Sequence, residues 1–266
     1  MLVDLLKNIK VFIFDVDGTI LLGNQALPFA SEVIKLLQKN NLDFIILSNN
    51  SSYSIKENLS RIEQILNVKL EDKNLCTSTH ATIDYLLSHN YRQCFILGTP
   101  GLVSDLRNNG IMNNTEKPQA IILGFDKTLT YEKIKTTALL LQKNKHIPFF
   151  ATHPDDTCPT DEGEIPDVGS FLKMFEIATG RTADLIFGKP NKLMVELCLK
   201  RTNANLSEVL LIGDRLETDI KMANSIGINS ALTLTGKSSL DEIEKKFKPT
   251  EVWVNLEFLF NYLKEI

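Results

Sequence analysis

Short unbroken apolar runs alternate along the chain with longer segments whose apolar residues recur every three or four positions. The runs fall at 11–14, 44–47, 95–97, 121–123, 149–151, 185–187, 209–212, 230–235 and 252–254. Continuous Val, Ile, Leu and Phe predict strands of a parallel sheet buried on both faces. The segments between them predict helices. Pro28 opens one, with Phe29, Val33, Leu36 and Leu37 on one face. Ser54-Ile55-Lys56-Glu57 is a capping box that opens another, carrying Ile55, Leu59, Ile62 and Leu66. Further helices are predicted at 81–87, from Leu102 to a stop at Gly110, after the cap Thr130, and from Val168 to Gly180. Others carry Leu193 and Leu197, run from Ile220 to Gly227, and close the chain over 256–266. Residues 20–27 and 152–166 predict loops, the first short and the second long, while 75–79 supports no single reading. Strand and helix in alternation is the grammar of an α/β fold with a mostly parallel sheet.

Most of these runs end abruptly in unusual polar residues. The first leads into Asp15-Val16-Asp17-Gly18-Thr19. The second leads into Ser48 and Asn49, another into Gly188-Lys189-Pro190, and another into Gly213-Asp214, with Asp219 five residues on. Ligands of open α/β sheets bind beyond the carboxyl ends of the strands. Taken singly, each has a plain structural role: a solvated turn, a cap, a surface lysine. Taken jointly, they offer carboxylates, a hydroxyl, an amide and an ammonium. That set suits a hard, oxygen-liganded cation together with an anion, not zinc, which prefers Cys and His.

Composition narrows the choice. The chain has 266 residues, 43% of them hydrophobic, which is enough for one large or two small domains with buried cores. A net charge of −4 lacks the basic footprint of a nucleic-acid binder. Cys76, Cys94, Cys158 and Cys198 are scattered, without the spacing of a zinc or dithiol site, and fit buried thiols in a reducing cytoplasm. Asp4, Lys7 and Lys10 interrupt the leucines of the first residues, so no signal-peptide core is expected there. No apolar run approaches the ~20 residues that span a bilayer, so no membrane partner is expected.

The four motifs together resemble the signatures of the haloacid dehalogenase superfamily: Asp-x-Asp-Gly-Thr, strand-Ser-Asn, Gly-Lys-Pro and Gly-Asp-x-x-x-Thr-Asp, here in the family's order. The long interval between the second and third resembles the C2-capped subfamily of para-nitrophenylphosphatases and sugar-phosphate phosphatases. Gly-Phe-Asp at 124–126 and Ala-Thr-His-Pro-Asp at 151–155 look like its cap sequences. The resemblance implies a three-layer, doubly wound, Rossmann-like core over 1–78 and 182–266, with an α/β cap inserted over 79–181. It implies a phosphatase acting on small phosphate esters. Asp15 would be the nucleophile and Asp17 the acid and base. Ser48 and the Asn49 amide would hold the phosphoryl oxygens, and Lys189 would balance their charge. Mg2+ would be held by Asp15, the Asp17 carbonyl and Asp214. Asp219 would hold Lys189 or a metal-bound water. Phe125, Asp126, His153 and Asp155 are the expected substrate contacts of the cap, and Asp155→Ala is expected to alter substrate ranking. A monomer or a cap-mediated homodimer fits the subfamily.

Three other functions compete with this one. A phosphomutase of the same family would share the motifs. Residues 231–238 satisfy a relaxed P-loop pattern with Ala231 in place of the first Gly, but 232–235 alternate like a strand. A phosphorylated receiver domain would need neither an insert nor Asp17.

Overall fold

The computed structural model describes residues 2–160, 162–243 and 247–266. The chain divides into two compact units, one formed by Met1–Ser48, Leu59–Cys76 and Met194–Ile266, the other by Asn49–Asn58 and Thr77–Leu193. The second unit thus takes in 49–58, 77–78 and 182–193 besides the segment expected for the insert.

The first unit is built on a six-stranded sheet in the order Glu251–Trp253, Asn229–Thr233, Val209–Gly213, Val11–Asp15, Asp43–Ser48, Leu75–Thr77. The first strand of the chain lies in the middle, parallel to Val209–Gly213 on one side and Asp43–Ser48 on the other. All five of its residues are buried, with Phe12, Ile13 and Phe14 fully enclosed. From there the chain first builds outward through Asp43–Ser48 and Leu75–Thr77. It then returns to build the other side, from Val209–Gly213 outward. The strand order therefore reverses between Val11–Asp15 and Val209–Gly213. Such a switch point opens a crevice beyond the strand ends, and Asp15 and Asp214 both emerge there.

The second unit has its own five-stranded parallel sheet, ordered Leu185–Ile186, Phe149–Ala151, Ala120–Leu123, Gln93–Leu97, Met112–Asn113. Phe95, Ile121, Leu123, Phe149 and Phe175 fill its core. Each apolar run supplies a sheet strand, and the capping box is realised: Ser54 donates its N–H to Glu57 Oε2 at 2.7 Å, and Glu57 donates its N–H to Ser54 Oγ at 3.2 Å.

The expected loops are less bare than read. Leu21–Leu22 and Gln25–Ala26 pair as a small hairpin turning at Gly23-Asn24, a turn signal short enough to pass unnoticed. Thr157–Thr160 and Gly163–Pro166 form an antiparallel ribbon. It stands as an isolated pair of strands, where proline is tolerated. Asp161, one of that loop's acids, lies outside the described residues. The segment at 75–79 resolves into the edge strand Leu75–Thr77 followed by the helix Ser78–Ser88. The helix after Pro28 begins at Ala30, because Phe29 adopts a left-handed φ of 66°.

Cys76, Cys94 and Cys198 are buried, whereas Cys158 is partly exposed. Burial pushes the Cys94 thiol up to about 12. Titration of the native protein with a disulfide reagent at pH 8 should therefore find one fast thiol, lost in Cys158→Ser. All four thiols should react once the chain is unfolded.

Candidate active site

Asp15 ends the central strand, Asp214 follows the adjacent Val209–Gly213 strand, and Asp219 lies one turn further on. One carboxylate oxygen from each lies within 4.8 Å of the others, and all three residues are buried. The turn carrying Asp219 is wide: the N–H groups of Asp219 and Ile220 both reach the Arg215 carbonyl, at 3.1 and 3.2 Å. Turns of that width recur at functional sites, because they redirect a side chain without breaking the helix that follows. Asp17 sits in the turn beyond Asp15, half-buried, and does not belong to this cluster. Ser48 ends the neighbouring strand and is buried.

Each pair of charges at such spacing repels by about 4 kcal/mol in a surface-like dielectric. Burial pushes Asp214 well above the usual carboxylate range. The charges of Asp15 and Asp219 add to that, against a weaker pull from Arg215 and from the Lys237 N–H. Arg215 Nε stands 4.0 Å from Asp214 Oδ2, the outer limit of an ion pair. Asp214 Oδ2 accepts the Lys237 N–H at 2.8 Å, whereas Oδ1 is buried with no hydrogen-bond partner. A buried, orphaned oxygen among carboxylates is a donor set that fits a hard divalent cation. The amides of Lys237 and Ser238, which the relaxed P-loop pattern would turn toward a nucleotide, are bonded to Asp214 instead.

In the second unit, residues 49–52 run across the carboxyl ends of the sheet. The Asn49 side chain accepts the Lys189 N–H at 2.7 Å and donates to the Lys189 carbonyl at 3.2 Å and to Asp155 Oδ2 at 3.0 Å. Ser51 Oγ pairs with Thr152 Oγ1 at 2.9 Å and accepts the Phe125 N–H at 2.9 Å. Thr99 Oγ1 donates to the Ser52 carbonyl at 3.0 Å. Four strand ends are thus bonded in their spatial order by successive residues of one segment. Gly188 completes the clamp on Lys189, since a Cβ there would lie 2.7 Å from Asn49 Oδ1 and 2.9 Å from His153 Cα.

The four residues expected to touch substrate are employed inside this unit. Phe125 belongs to the apolar core. Asp126 is buried and binds Lys133 Nζ at 2.7 Å and Thr128 Oγ1 at 2.7 Å. His153 is fully enclosed, its ring nitrogens 3.0 Å from Thr152 Oγ1 and 2.9 Å from Asp167 Oδ1. Asp155, half-buried, accepts from Asn49. The likeness of 124–126 and 151–155 to cap sequences of the family singles these residues out, and the polar side chains of Asp126 and His153 are hydrogen-bonded within the unit. The family motif gives a role only to the Asn49 backbone amide and so does not predict the bonds of its side chain. The run Ser48-Asn49-Asn50-Ser51 was the available signal, since such side chains bond backbone readily.

Residues 12–112 match the model of the haloacid dehalogenase-like hydrolases, and 186–259 match a second model of the same group. The crystal structure of a 4-nitrophenylphosphatase from Thermotoga maritima is 37% identical, covers 97% of this chain and 98% of its own, and superposes with a TM-score of 0.90. An acid sugar phosphatase of Staphylococcus haemolyticus is 26% identical over 98% of both chains. A dihydroxyacetone phosphatase of Corynebacterium glutamicum is 29% identical over 91% of this chain and 87% of its own. With two matching models, a relative of that identity and the acid cluster at a switch point, the chain belongs to the haloacid dehalogenase-like hydrolases, in the branch of C2-capped phosphatases. It is a phosphomonoester hydrolase.

The raised pKa of Asp214 fixes a sign. The fold favours its protonated form, so stability from this group is full below the ordinary carboxylate pKa and is lost as pH rises through the higher folded value. Asp214→Asn keeps an acceptor for the Lys237 N–H and removes the charge. At pH 7.5 without divalent cations it should melt a few degrees above wild type, at about 2–4 °C per kcal/mol relieved. Calorimetry with and without millimolar Mg2+ checks this: the cation should raise the melting point of wild type and not of the variant.

Proposed function

We propose that this phosphatase is Mg2+-dependent and hydrolyses small phosphate monoesters, of the sugar phosphate or aryl phosphate type, through an aspartyl-phosphate on Asp15. The buried cluster of Asp15, Asp214 and Asp219, with its orphaned Asp214 oxygen, carries the reading. The names of the three relatives, all phosphatases of small esters, support the substrate class.

Asp15 would attack phosphorus with one carboxylate oxygen as the ester P–O bond breaks. Asp17 would give its proton to the departing alkoxide, then take one from the water that attacks the acyl-phosphate. That second attack releases inorganic phosphate and restores Asp15. Ser48 and the Asn49 N–H would orient the phosphoryl oxygens. The family motif gives Lys189 the task of balancing their charge, and its backbone is held from both sides by the Asn49 amide. Asp15, the Asp17 carbonyl and Asp214 would hold Mg2+, with Asp219 beside them. Mg2+ supplies positive charge that lets an anionic nucleophile approach an anionic ester. Positioning and charge balance are most of what phosphoryl transfer needs. The insert over 79–181 would serve as the cap, and the scattered thiols suit a cytoplasmic setting.

Asp15→Asn should cost ~10³-fold or more in turnover of 4-nitrophenyl phosphate while leaving the circular dichroism spectrum and melting cooperativity intact. Wild-type turnover in that variant removes the nucleophile assignment. Chelation with EDTA should stop wild-type turnover, and Mg2+ should restore it. A panel of sugar, triose and aryl phosphates, scored by released phosphate, identifies the preferred ester.

A further inference from the structure

The loop 235–238 follows the Asn229–Thr233 strand, and no step of the proposed mechanism uses it. Its contacts converge on the acid cluster. Lys237 donates its backbone N–H to Asp214 Oδ2 at 2.8 Å, and Ser238 donates its N–H to the Asp214 carbonyl at 3.1 Å. Ser238 Oγ accepts the Leu216 N–H at 3.0 Å, which ties down the start of the wide turn that carries Asp219. Thr235 Oγ1 donates to the Gly18 carbonyl at 2.6 Å, within the turn that follows Asp15 and Asp17.

Two glycines bring these pieces together. A Cβ on Gly236 would overlap Asp214 Oδ2 and stand 2.5 Å from its Cγ. Gly236 is not among the residues with positive φ, so its backbone would accept alanine; space alone demands glycine. Gly18 has φ of +90°, and a Cβ there would lie 2.5 Å from Asp214 Oδ2 and 3.1 Å from Gly236 Cα. The Asp214 carboxylate is therefore pressed between two backbone segments, with Oδ2 fixed and Oδ1 left without a partner.

We propose that 235–238 is a positioning loop: it fixes the Asp214 carboxylate so that Oδ1 faces the cation, and it locks that carboxylate to the turn carrying Asp15 and Asp17. The proposal rests on the cation site of the preceding section. Thr235, Gly236 and Ser238, with the Lys237 amide, act through Asp214 and touch no substrate. The Gly-Lys-Ser sequence thus serves a carboxylate of the chain where a P-loop would serve a phosphate. A hydrogen bond to Oδ2 and a backbone wall restrict the carboxylate to one rotamer, so binding a cation requires little further ordering.

The test reads cation binding without turnover. Isothermal titration of Mg2+ into substrate-free wild type, Gly236→Ala, Thr235→Val and Thr235→Ser gives Kd directly, and calorimetry gives the metal-free melting point of each. Gly236→Ala should raise the Mg2+ Kd at least tenfold. Thr235→Val, which loses the bond to Gly18 at nearly constant volume, should raise it severalfold, and Thr235→Ser, which keeps the hydroxyl, should restore it. In Thr235→Val, kcat should recover as Mg2+ is raised, which damage unrelated to the cation would not allow. If Gly236→Ala and Thr235→Val both bind Mg2+ within twofold of wild type, the positioning role is overturned, whatever their melting points. If wild type itself shows no Mg2+ binding and its turnover ignores EDTA, the cation site falls and takes this proposal with it.

Discussion

Three carboxylates held within 4.8 Å of one another, away from solvent, is an arrangement that a chain left to itself would relax. Everything around the cluster prevents that relaxation. Asp15 ends a strand enclosed on both faces and hydrogen-bonded on both sides, so its backbone cannot retreat. Asp214 leaves the adjacent strand and is pinned at Oδ2 and at its carbonyl. Asp219 lies so close to Gly213 that a Cβ there would stand 2.5 Å from its own Cβ. The sheet's reversal at this point puts two strand ends side by side with no helix connection crossing above them. The apolar core thus supplies the rigidity that holds like charges together, and the held charges are what makes a cation welcome.

The second unit applies the same geometry to another end. Its parallel sheet also presents strand ends to a crevice, but there the chain fills the space with its own residues 49–52. The Asn49 and Ser51 side chains satisfy the turn backbones at Lys189 and Phe125, and Thr99 reaches back to the Ser52 carbonyl. Buried polar groups left unpaired there would each cost about 1–3 kcal/mol. The position of Lys189 is consequently set by an amide that mimics a strand, accepting from its N–H and donating to its carbonyl. Asp214 Oδ1 is buried without a hydrogen-bond partner, whereas the side chains of Asp126 and His153 are bonded within the second unit.

The sequence revealed the features that depend on neighbours along the chain. Unbroken Val, Ile and Phe marked the strands of both sheets, because full burial leaves no polar face to interrupt the run. The capping box at Ser54 and the stop at Gly180 were equally local, the latter through a φ of 70°. The carboxylates at 15, 214 and 219 were legible as strand-end outliers, and the family's motif order grouped them. What stayed hidden depends on proximity between distant residues. The need for glycine at 236 comes from a carboxylate 22 positions earlier, and nothing near 236 hints at it. The short ribbon at 157–166 stayed hidden for another reason: its strands carry prolines and little alternation, so sequence period gave no signal.

Proximity also explains why 231–238 imitates a nucleotide loop. Both arrangements need a strand that ends in backbone amides aimed at negatively charged oxygens, with glycine where a side chain would intrude. In a P-loop the oxygens arrive with the ligand. Here the described amides at 237 and 238 face oxygens of Asp214, already part of the fold. The chemical requirement is the same, so the residue types converge. The anion's origin separates the two cases, and a one-dimensional pattern carries no record of it. What marks the present case is the pair Gly18 and Gly236: a Cβ on Gly18 would lie 3.1 Å from Gly236 Cα, and the two close over one carboxylate whose other oxygen is buried without a hydrogen-bond partner.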